Sequence, residues 1–211
     1  MEFDTLIYNN KNSVKINIRR ISYGGVIMGK TLVINLQDIN LQGDILDVGE
    51  ENFGVIYSIS KEVQDEVSVD YVYSDDNIEI QNRKYDACTF FFNLNKVWTS
   101  IEKENIIKEI LPYIKENGHI YIWDINKERG KIFNNKIRVL LPNDKNKEFI
   151  FKNLNIFCSS NVDEMKKILE KYFKIEETKA WEDIFFIKGI KLEYKVTAEE
   201  KLKNESVTYS D

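Results

Sequence analysis

The apolar residues of this chain fall into short, nearly continuous runs that are separated by segments of helical period. The runs lie at residues 45–48, 67–69, 85–92 and 119–124. Near-continuous apolar runs are typical of parallel strands that are covered on both faces. Because these runs alternate with helical segments, the pattern predicts an α/β fold built on a mostly parallel sheet.

Capping signatures mark the start of two helices. Thr99 and Glu102 have the spacing of a capping box, and we expect this helix to kink near Pro112 and to end at residues 117–118. Residues 160–163 carry a second capping signature. An apolar stripe follows it at helical spacing, which predicts a helix that packs on the sheet.

Two hairpins are predicted in the second half of the chain. Pro142 begins a turn signal between apolar patches at 137–141 and 149–151, which favours a hairpin or flap. Residues 173–181 and 184–190 are expected to pair as antiparallel strands through a tight turn.

The segment before the first apolar run is ambiguous. Leu32, Leu36 and Ile39 have the spacing of a helix, whereas the alternation from Leu32 to Leu36 suits a strand. Both interpretations remain open from the sequence.

The spacing between the second run and the third is short. Only fifteen residues separate Asp70 from Asp86. A crossover that includes its own helix needs at least about 10 to 12 residues, which leaves no room for both a helix and a further strand. We therefore expect the sheet to be trimmed after its second strand.

Composition narrows the class of protein. A length of 211 residues suits one domain, and 43% hydrophobic with 31% charged residues is typical of globular proteins. The net charge of −5 disfavours a nucleic-acid partner, and no apolar run approaches the roughly 20 residues that span a bilayer. Cys88 and Cys158 form neither a disulfide framework nor a metal-ligand spacing. We expect a cytoplasmic protein without a membrane, metal or nucleic-acid partner.

The turn after the first apolar run carries the clearest motif. Asp47 and Gly49 match the start of an Asp-x-Gly-x-Gly-x-Gly pattern, Glu51 and Phe53 replace its last two glycines, and Gly54 follows one place late. The turn resembles motif I of class I S-adenosylmethionine-dependent methyltransferases. That resemblance implies a Rossmann-like, doubly wound, mostly parallel sheet of six to seven strands with an antiparallel C-terminal strand.

The resemblance also implies a division of the chain. It covers residues 43–191 as a methyltransferase-like α/β domain. Residues 1–42 would be an N-terminal cap or lead-in segment, and residues 192–211 a polar tail.

The charges of the turn bear on what it binds. Glu50 and Glu51 lie beside Asp47, so a dinucleotide pyrophosphate would be repelled. S-adenosylmethionine has a sulfonium and an ammonium group and no phosphate, so the acidic turn favours it over NAD. An ordinary strand exit with a solvated acidic turn is an equally open interpretation.

Further site residues follow from the resemblance. Asp70 lies about 20 residues after the glycine turn, where an acid binds the cofactor ribose in Rossmann-like sheets. Asp124, after the apolar run 119–124, is the best-placed candidate base, although a solvent-facing carboxylate is the other interpretation. The residues expected to bind the cofactor are Asp47, Gly49, Glu50, Asp70, Tyr71 and Asn93.

The sequence therefore predicts an S-adenosylmethionine-dependent methyltransferase that acts on a small molecule. The alternative is a non-catalytic cofactor- or partner-binding module on a degenerate methyltransferase fold. Glu51 and Phe53 separate the two, because side chains there turn outward, fill the cofactor's space or pack as core. We expect the outward arrangement, since Gly54 can supply the flexible turn one position late.

Overall fold

A computed structural model describes residues 29–49, 53–63, 69–72 and 84–193, without the side chains of residues 62, 63 and 69–72. The described residues form nine strands and three helices. The strands are β1 (Thr31–Asn35), β2 (Ile45–Val48), β3 (Val69–Val72), β4 (Tyr85–Phe91), β5 (Ile114–Ile125), β6 (Phe133–Leu140), β7 (Asn146–Asn153), β8 (Phe173–Trp181) and β9 (Ile184–Lys191). The helices are α1 (Val55–Val63), α2 (Ser100–Ile110) and α3 (Val162–Leu169).

Six strands form the larger sheet, in the order β3-β2-β4-β5-β9-β8. The pairs β2–β3, β2–β4 and β4–β5 are parallel. Strand β9 runs antiparallel to both of its neighbours, β5 and β8. The last strand is thus inserted antiparallel between two strands that precede it in the chain.

A second sheet of three strands has the order β1-β6-β7. Strand β1 pairs parallel with β6, and β6 pairs antiparallel with β7 through the turn that begins at Pro142. The hairpin predicted around Pro142 is therefore confirmed, and it has recruited β1 as a third strand.

The α/β fold predicted from the sequence is confirmed in this coarser form. The prediction of a mostly parallel sheet of six to seven strands is not, because both sheets mix parallel and antiparallel pairs. Residues 73–83, on which the predicted trimming of the sheet depends, lie outside the described residues. The division at residues 42 and 191 stays a prediction.

Apolar side chains cover both faces of the larger sheet. On one face, Ile45 and Phe91 pack with α1 and with the three-stranded sheet. On the other, Leu46 and Phe90 pack with α2 and α3. Neighbouring residues of a strand point to opposite faces, so the near-continuous apolar runs supply both layers.

The segment before β2 resolves as a strand. Leu32 and Ile34 are buried in β1, while Thr31, Val33 and Asn35 are exposed. Strict alternation on a half-covered sheet explains why the strand interpretation is correct and the helical one is wrong.

The helix boundaries agree with the capping signals at their starts. Thr99 and Glu102 form the predicted capping box of α2. This helix ends at Ile110, and Pro112 lies in a short 3-10 turn before β5 begins at Ile114. The expectation that α2 runs to residue 117 is wrong, because Pro112 supplies no N–H to continue the ladder.

The cap of α3 gives a first prediction. The Asn161 side chain accepts hydrogen bonds from the N–H groups of Asp163 and Glu164, at 2.8 and 3.0 Å. Asn161→Ala leaves both donors without this partner, so we expect the free energy of unfolding to fall by about 1 kcal/mol. Urea unfolding measures the change. Asn146→Ala, an exposed amide on β7, is the control, and an equal loss in both variants would contradict the cap's role.

Candidate functional site

The strand order creates a crevice at one edge of the larger sheet. From β2 the chain adds β3 on one side, and later β4 and β5 on the other. In open α/β sheets, ligands bind at such a switch point, outside the carboxyl ends of the strands. Because β2, β3, β4 and β5 are parallel, their carboxyl ends share this edge. We call the gap between the ends of β2 and β4 the switch-point crevice.

Gly49 and Asn93 meet across this crevice. The Asn93 amide nitrogen donates to the carbonyl oxygens of Val48 and Phe91, at 3.1 and 3.0 Å, and so joins the ends of β2 and β4. A Cβ atom on Gly49 would lie 1.9 Å from that nitrogen. The site therefore needs glycine here for a close approach of backbone to side chain.

Asp47 lies just inside the crevice and is buried. Its carboxylate accepts a 2.7 Å hydrogen bond from the hydroxyl of Thr89, its neighbour on β4. Burial raises the pKa of Asp47 to about 6, against the opposing effect of the Thr89 hydrogen bond. The side chain thus ties β2 to β4 directly behind the crevice.

The register places Asp70 and Tyr71 on the adjacent strand. Asp70 pairs with Leu46 and Tyr71 with Asp47, and β3 continues to Val72. From the apolar run at 67–69 we expect this strand to end at Asp70, and that expectation is wrong: the strand continues for two more residues, to Val72. Glu50 and Glu51 lie outside the described residues, so what was expected of them stays a prediction.

Phe53 packs inward and not outward. Its ring stacks on Phe149 of β7, with centroids 4.0 Å apart, and meets Phe91 and Phe151 edge-on at 6.3 Å. The outward arrangement expected from the sequence is therefore wrong for Phe53. The reason is the three-stranded sheet, which brings aromatic partners over the turn and makes burial favourable.

Gly54 supplies the turn one position late, as expected. Its φ of +63° lies in the left-handed region, where glycine carries no Cβ penalty. Lys147 of β7 donates to the carbonyl oxygens of Phe53 and Gly54, at 3.3 and 2.6 Å. Burial lowers the pKa of this lysine.

The loop after β4 adopts a constrained backbone. Phe92 is fully buried with a φ of +58°, which a non-glycine residue rarely adopts. The amide nitrogen of Asn95 donates to the Phe92 carbonyl at 2.9 Å and to Asp124 at 2.6 Å. Asn95 is itself fully buried, so it does not face the crevice mouth as Asn93 does.

Asp124 lies at the carboxyl end of β5 with no exposed surface. Its two carboxylate oxygens accept from the backbone N–H of Asn95 (2.8 Å), from the Asn95 amide and from the N–H of Ile125 (2.7 Å). Burial raises the pKa of Asp124 to about 7, although these hydrogen bonds oppose the shift. The solvent-facing interpretation is wrong, and the enclosed carboxylate holds the β4 loop.

A polar cavity of about 410 Å³ opens at the same edge, beyond the end of β5. Asn126, Lys127 and Asp183 line it on the sheet side, and Asn161 lines it from the start of α3. In the sequence, only the polar stretch after β5 marks this region. That stretch did not predict which residues line the cavity.

Lys127, one of the residues that line the cavity, is buried. Its ammonium donates to the carbonyl oxygens of Lys131 (3.1 Å), Asn155 (2.7 Å) and Cys158 (2.7 Å). Burial lowers the pKa of Lys127, but a neutral amine has only two N–H donors. Three carbonyl acceptors therefore hold the protonated form.

The described part of the chain has neither a metal cluster nor a membrane helix. No group of three or more His, Cys, Asp or Glu side chains within it is arranged to hold a metal ion. None of its helices is both long and apolar enough to cross a bilayer. Cys88 and Cys158 are both buried free thiols.

Comparison with known proteins gives matches among solved structures alone. No family model and no curated protein matches the chain. A DhpI–SAH complex is 14% identical, with a TM-score of 0.49 over 73% of this chain and 79% of that one. The N-methyltransferase NodS from Bradyrhizobium japonicum with S-adenosyl-L-homocysteine is 9% identical, with a TM-score of 0.47 over 72% and 79%.

A third structure has a similar likeness. The S-adenosylmethionine dependent methyltransferase from Mesorhizobium loti is 10% identical, with a TM-score of 0.45 over 70% of this chain and 90% of that one. The last two are named as methyltransferases, the class that the sequence resembles. At such identities and TM-scores, the function of this chain has to be argued from its own residues.

The buried carboxylate predicts a specific pH dependence of stability. With a pKa near 3.8 in the unfolded chain and about 7 in the fold, Asp124 binds its proton more tightly when folded. Its contribution is present below pH 4 and is lost as the pH rises through 7. Between pH 5 and pH 8 we expect the natural protein to lose roughly 2 kcal/mol more than Asp124→Asn.

Urea unfolding at the two pH values measures this difference. Asp86→Asn is the control: burial raises its pKa, but the Lys115 ammonium and the Asp44 N–H lower it further, so the net direction is down. Its contribution is lost only as the pH falls below about 4, outside the window. Parallel pH profiles for the natural protein and Asp124→Asn would refute the assignment.

The inward position of Phe53 predicts a loss of stability on truncation. Phe53→Ala removes a half-buried ring from the aromatic cluster, so we expect the free energy of unfolding to fall by roughly 1 to 3 kcal/mol. Tyr57→Ala, on the exposed surface of α1, should stay within about 0.5 kcal/mol. Denaturant unfolding compares them. An unchanged stability of Phe53→Ala, together with a gain in cofactor affinity, would show that the ring blocks a ligand.

Proposed function

We propose that this chain is an S-adenosylmethionine-dependent methyltransferase that acts on a small molecule. The observation that carries the proposal is the switch-point crevice, with the motif residues Asp47 and Gly49 at its β2 side and Asn93 at its β4 side. We take the larger sheet to be a Rossmann-like variant. In its β3-β2-β4-β5 part, the direction in which the chain adds strands reverses at β2, as it does at the switch point of a doubly wound sheet.

The chemistry of the crevice suits this cofactor. Asn93 contributes its amide oxygen, because its N–H groups donate to Val48 and Phe91. The start of α1 contributes backbone N–H groups, and both kinds of group bind neutral, polar parts of a nucleoside. The acidic turn with Glu50 and Glu51 opposes a pyrophosphate and favours an ammonium or sulfonium. S-adenosylmethionine fits this donor and charge set, and NAD does not.

The cofactor would supply an electrophilic methyl group on its sulfonium sulfur. The chain's own residues would bind and orient. Gly49 would leave room for Asn93, which would hold the loop ends together. Asp70 would accept hydrogen bonds from ribose hydroxyls. Asp70 and Tyr71 remain the predicted β3 residues. Phe53 and Phe149 would keep water from one side of the turn.

Asp124 is buried and is not an exposed base, and catalysis by proximity does not require one. Holding two reactants in line can supply a large share of the barrier reduction in group transfer. Asp124 is enclosed by Asn95 and Ile125, so we assign it to positioning and leave proton removal to the acceptor or to solvent.

The cavity beyond β5 supports a small-molecule acceptor. Its volume of about 410 Å³ lies in the range of small-ligand pockets, roughly 300 to 1,000 Å³. Strands β4 and β5 are neighbours, and adjacent strands are about 4.8 Å apart. The cavity is thus close to the crevice along the sheet edge. Its polar lining suits an acceptor with several hydrogen-bonding groups.

A non-catalytic binding module is the second candidate. The observation that favours it is the Phe53–Phe149 stack, which covers the turn from the side of the three-stranded sheet. Such a module would bind a nucleoside or a partner at the same crevice without catalysing a reaction.

Thermal unfolding and calorimetric titration test the proposal. S-adenosylhomocysteine should raise the melting temperature, because a ligand at 100 times its Kd stabilises the folded state by about 2.7 kcal/mol. NAD at the same concentration is the control and should not. A shift with NAD and none with S-adenosylhomocysteine would overturn the proposal. Binding without product formation from S-adenosylmethionine, across amine, thiol and hydroxyl acceptors, would favour the module.

A further inference from the structure

Strand β7 presents polar and aromatic side chains on its inward face. Lys147, Phe149, Phe151 and Asn153 alternate with outward residues along the strand. On the outward side, Glu148 pairs with Lys136 and Arg138 of β6. The inward set faces the carboxyl edge of the larger sheet, to which β7 is not hydrogen-bonded as a strand.

One end of this inward face holds the turn between β2 and α1. Lys147 donates to the carbonyl oxygens of Phe53 and Gly54, and Phe149 stacks on the Phe53 ring. The hydrogen bonds fix the direction of two backbone carbonyls, while the stack fixes the plane of a side chain. Packing of the turn would need only the Phe149 ring. The Lys147 ammonium adds hydrogen bonds that set the orientation of the backbone.

The other end holds the loop between β4 and α2. The amide nitrogen of Asn153 donates to the backbone carbonyl of Asn95 (3.1 Å) and to its side-chain oxygen (2.8 Å). Asn153 is buried, and Asn95 is the residue that also binds Asp124 and the Phe92 carbonyl. The contact therefore reaches the constrained backbone that carries Asn93.

Lys147 and Asn153 are six positions apart, a span of roughly 20 Å along an extended strand. One rigid strand thus contacts both walls of the switch-point crevice. We propose that β7 is the positioning element of the crevice, with Lys147 and Asn153 as positioning residues that fix its two loops for the cofactor. The identity of the ligand in this inference rests on the proposed function. The effect of the two residues on the loops does not.

The expected effect follows from population arithmetic. If the loops are in the binding arrangement for only a tenth of the time once a contact is lost, the apparent Kd rises about tenfold. We therefore expect Lys147→Met and Asn153→Ala each to weaken S-adenosylhomocysteine binding by about tenfold in calorimetric titration. Lys147→Arg keeps a donor for the carbonyls and should restore most of the affinity.

Two controls on the same strand match these variants. Lys152→Met and Asn146→Ala make the same chemical changes at exposed positions of β7 and should leave the affinity unchanged. Ile168→Ala removes a buried side chain from α3 on the opposite face of the sheet. It should lower the melting temperature without changing the Kd, which separates positioning from general loss of stability.

A ligand-free readout keeps the inference distinct from the proposed function. In hydrogen exchange of the free protein, Lys147→Met should speed exchange at residues 53–56, and Asn153→Ala at residues 92–96. Unchanged exchange at these loops, or equal loss of affinity in the matched controls, would overturn the role of β7. If the natural protein fails to bind S-adenosylhomocysteine while exchange changes as expected, the proposed function fails and the positioning role stands.

Discussion

The enclosed carboxylate of Asp124 is the constraint on which this edge of the fold depends. A buried carboxyl group must have hydrogen-bond partners, because without them the protein bears the full free-energy cost of removing the group from water. Asn95 supplies two donors, and the loop that carries it turns at Phe92, whose φ is +58°. That turn carries Asn93 to the end of β2, where Gly49 leaves room for it. One buried acid thus constrains the loop that forms the β4 side of the crevice.

Local signals in the sequence predicted the elements, and long-range contacts decided how they are used. The capping box at Thr99 and the turn after Pro142 act within a few residues, so composition and spacing were enough. The pairing of β1 with β6 joins residues about one hundred positions apart, and no periodicity encodes such a partner. For the same reason Phe53 was expected to turn outward: its stacking partner, Phe149, belongs to a strand whose place in the fold is not readable locally.

The candidate site divides in the same way. Gly49 and Asn93 directly follow apolar runs, and Asp47 lies near the end of one. The carboxyl ends of parallel strands meet at one edge, so the proximity of these residues was predictable. Asn153 and Lys147 were missed, because each lies in a strand whose pattern reports only the alternation of exposed and buried positions. A buried amide or lysine in such a strand is a signal that can be looked for, since it must have a polar partner from another element.

The replacement of a motif glycine by Phe53 is best understood together with the three-stranded sheet. A phenylalanine on an uncovered turn would expose its ring to water, whereas here it gains aromatic neighbours from β4 and β7. The same covering sheet brings the Lys147 ammonium to the carbonyl of Gly54, and Gly54 itself adopts the left-handed conformation, with a φ of +63°. Position 53 therefore no longer needs glycine for the backbone to turn. The loss of this motif glycine is therefore accounted for by packing against β4 and β7, and it does not by itself argue against the cofactor proposed for the crevice.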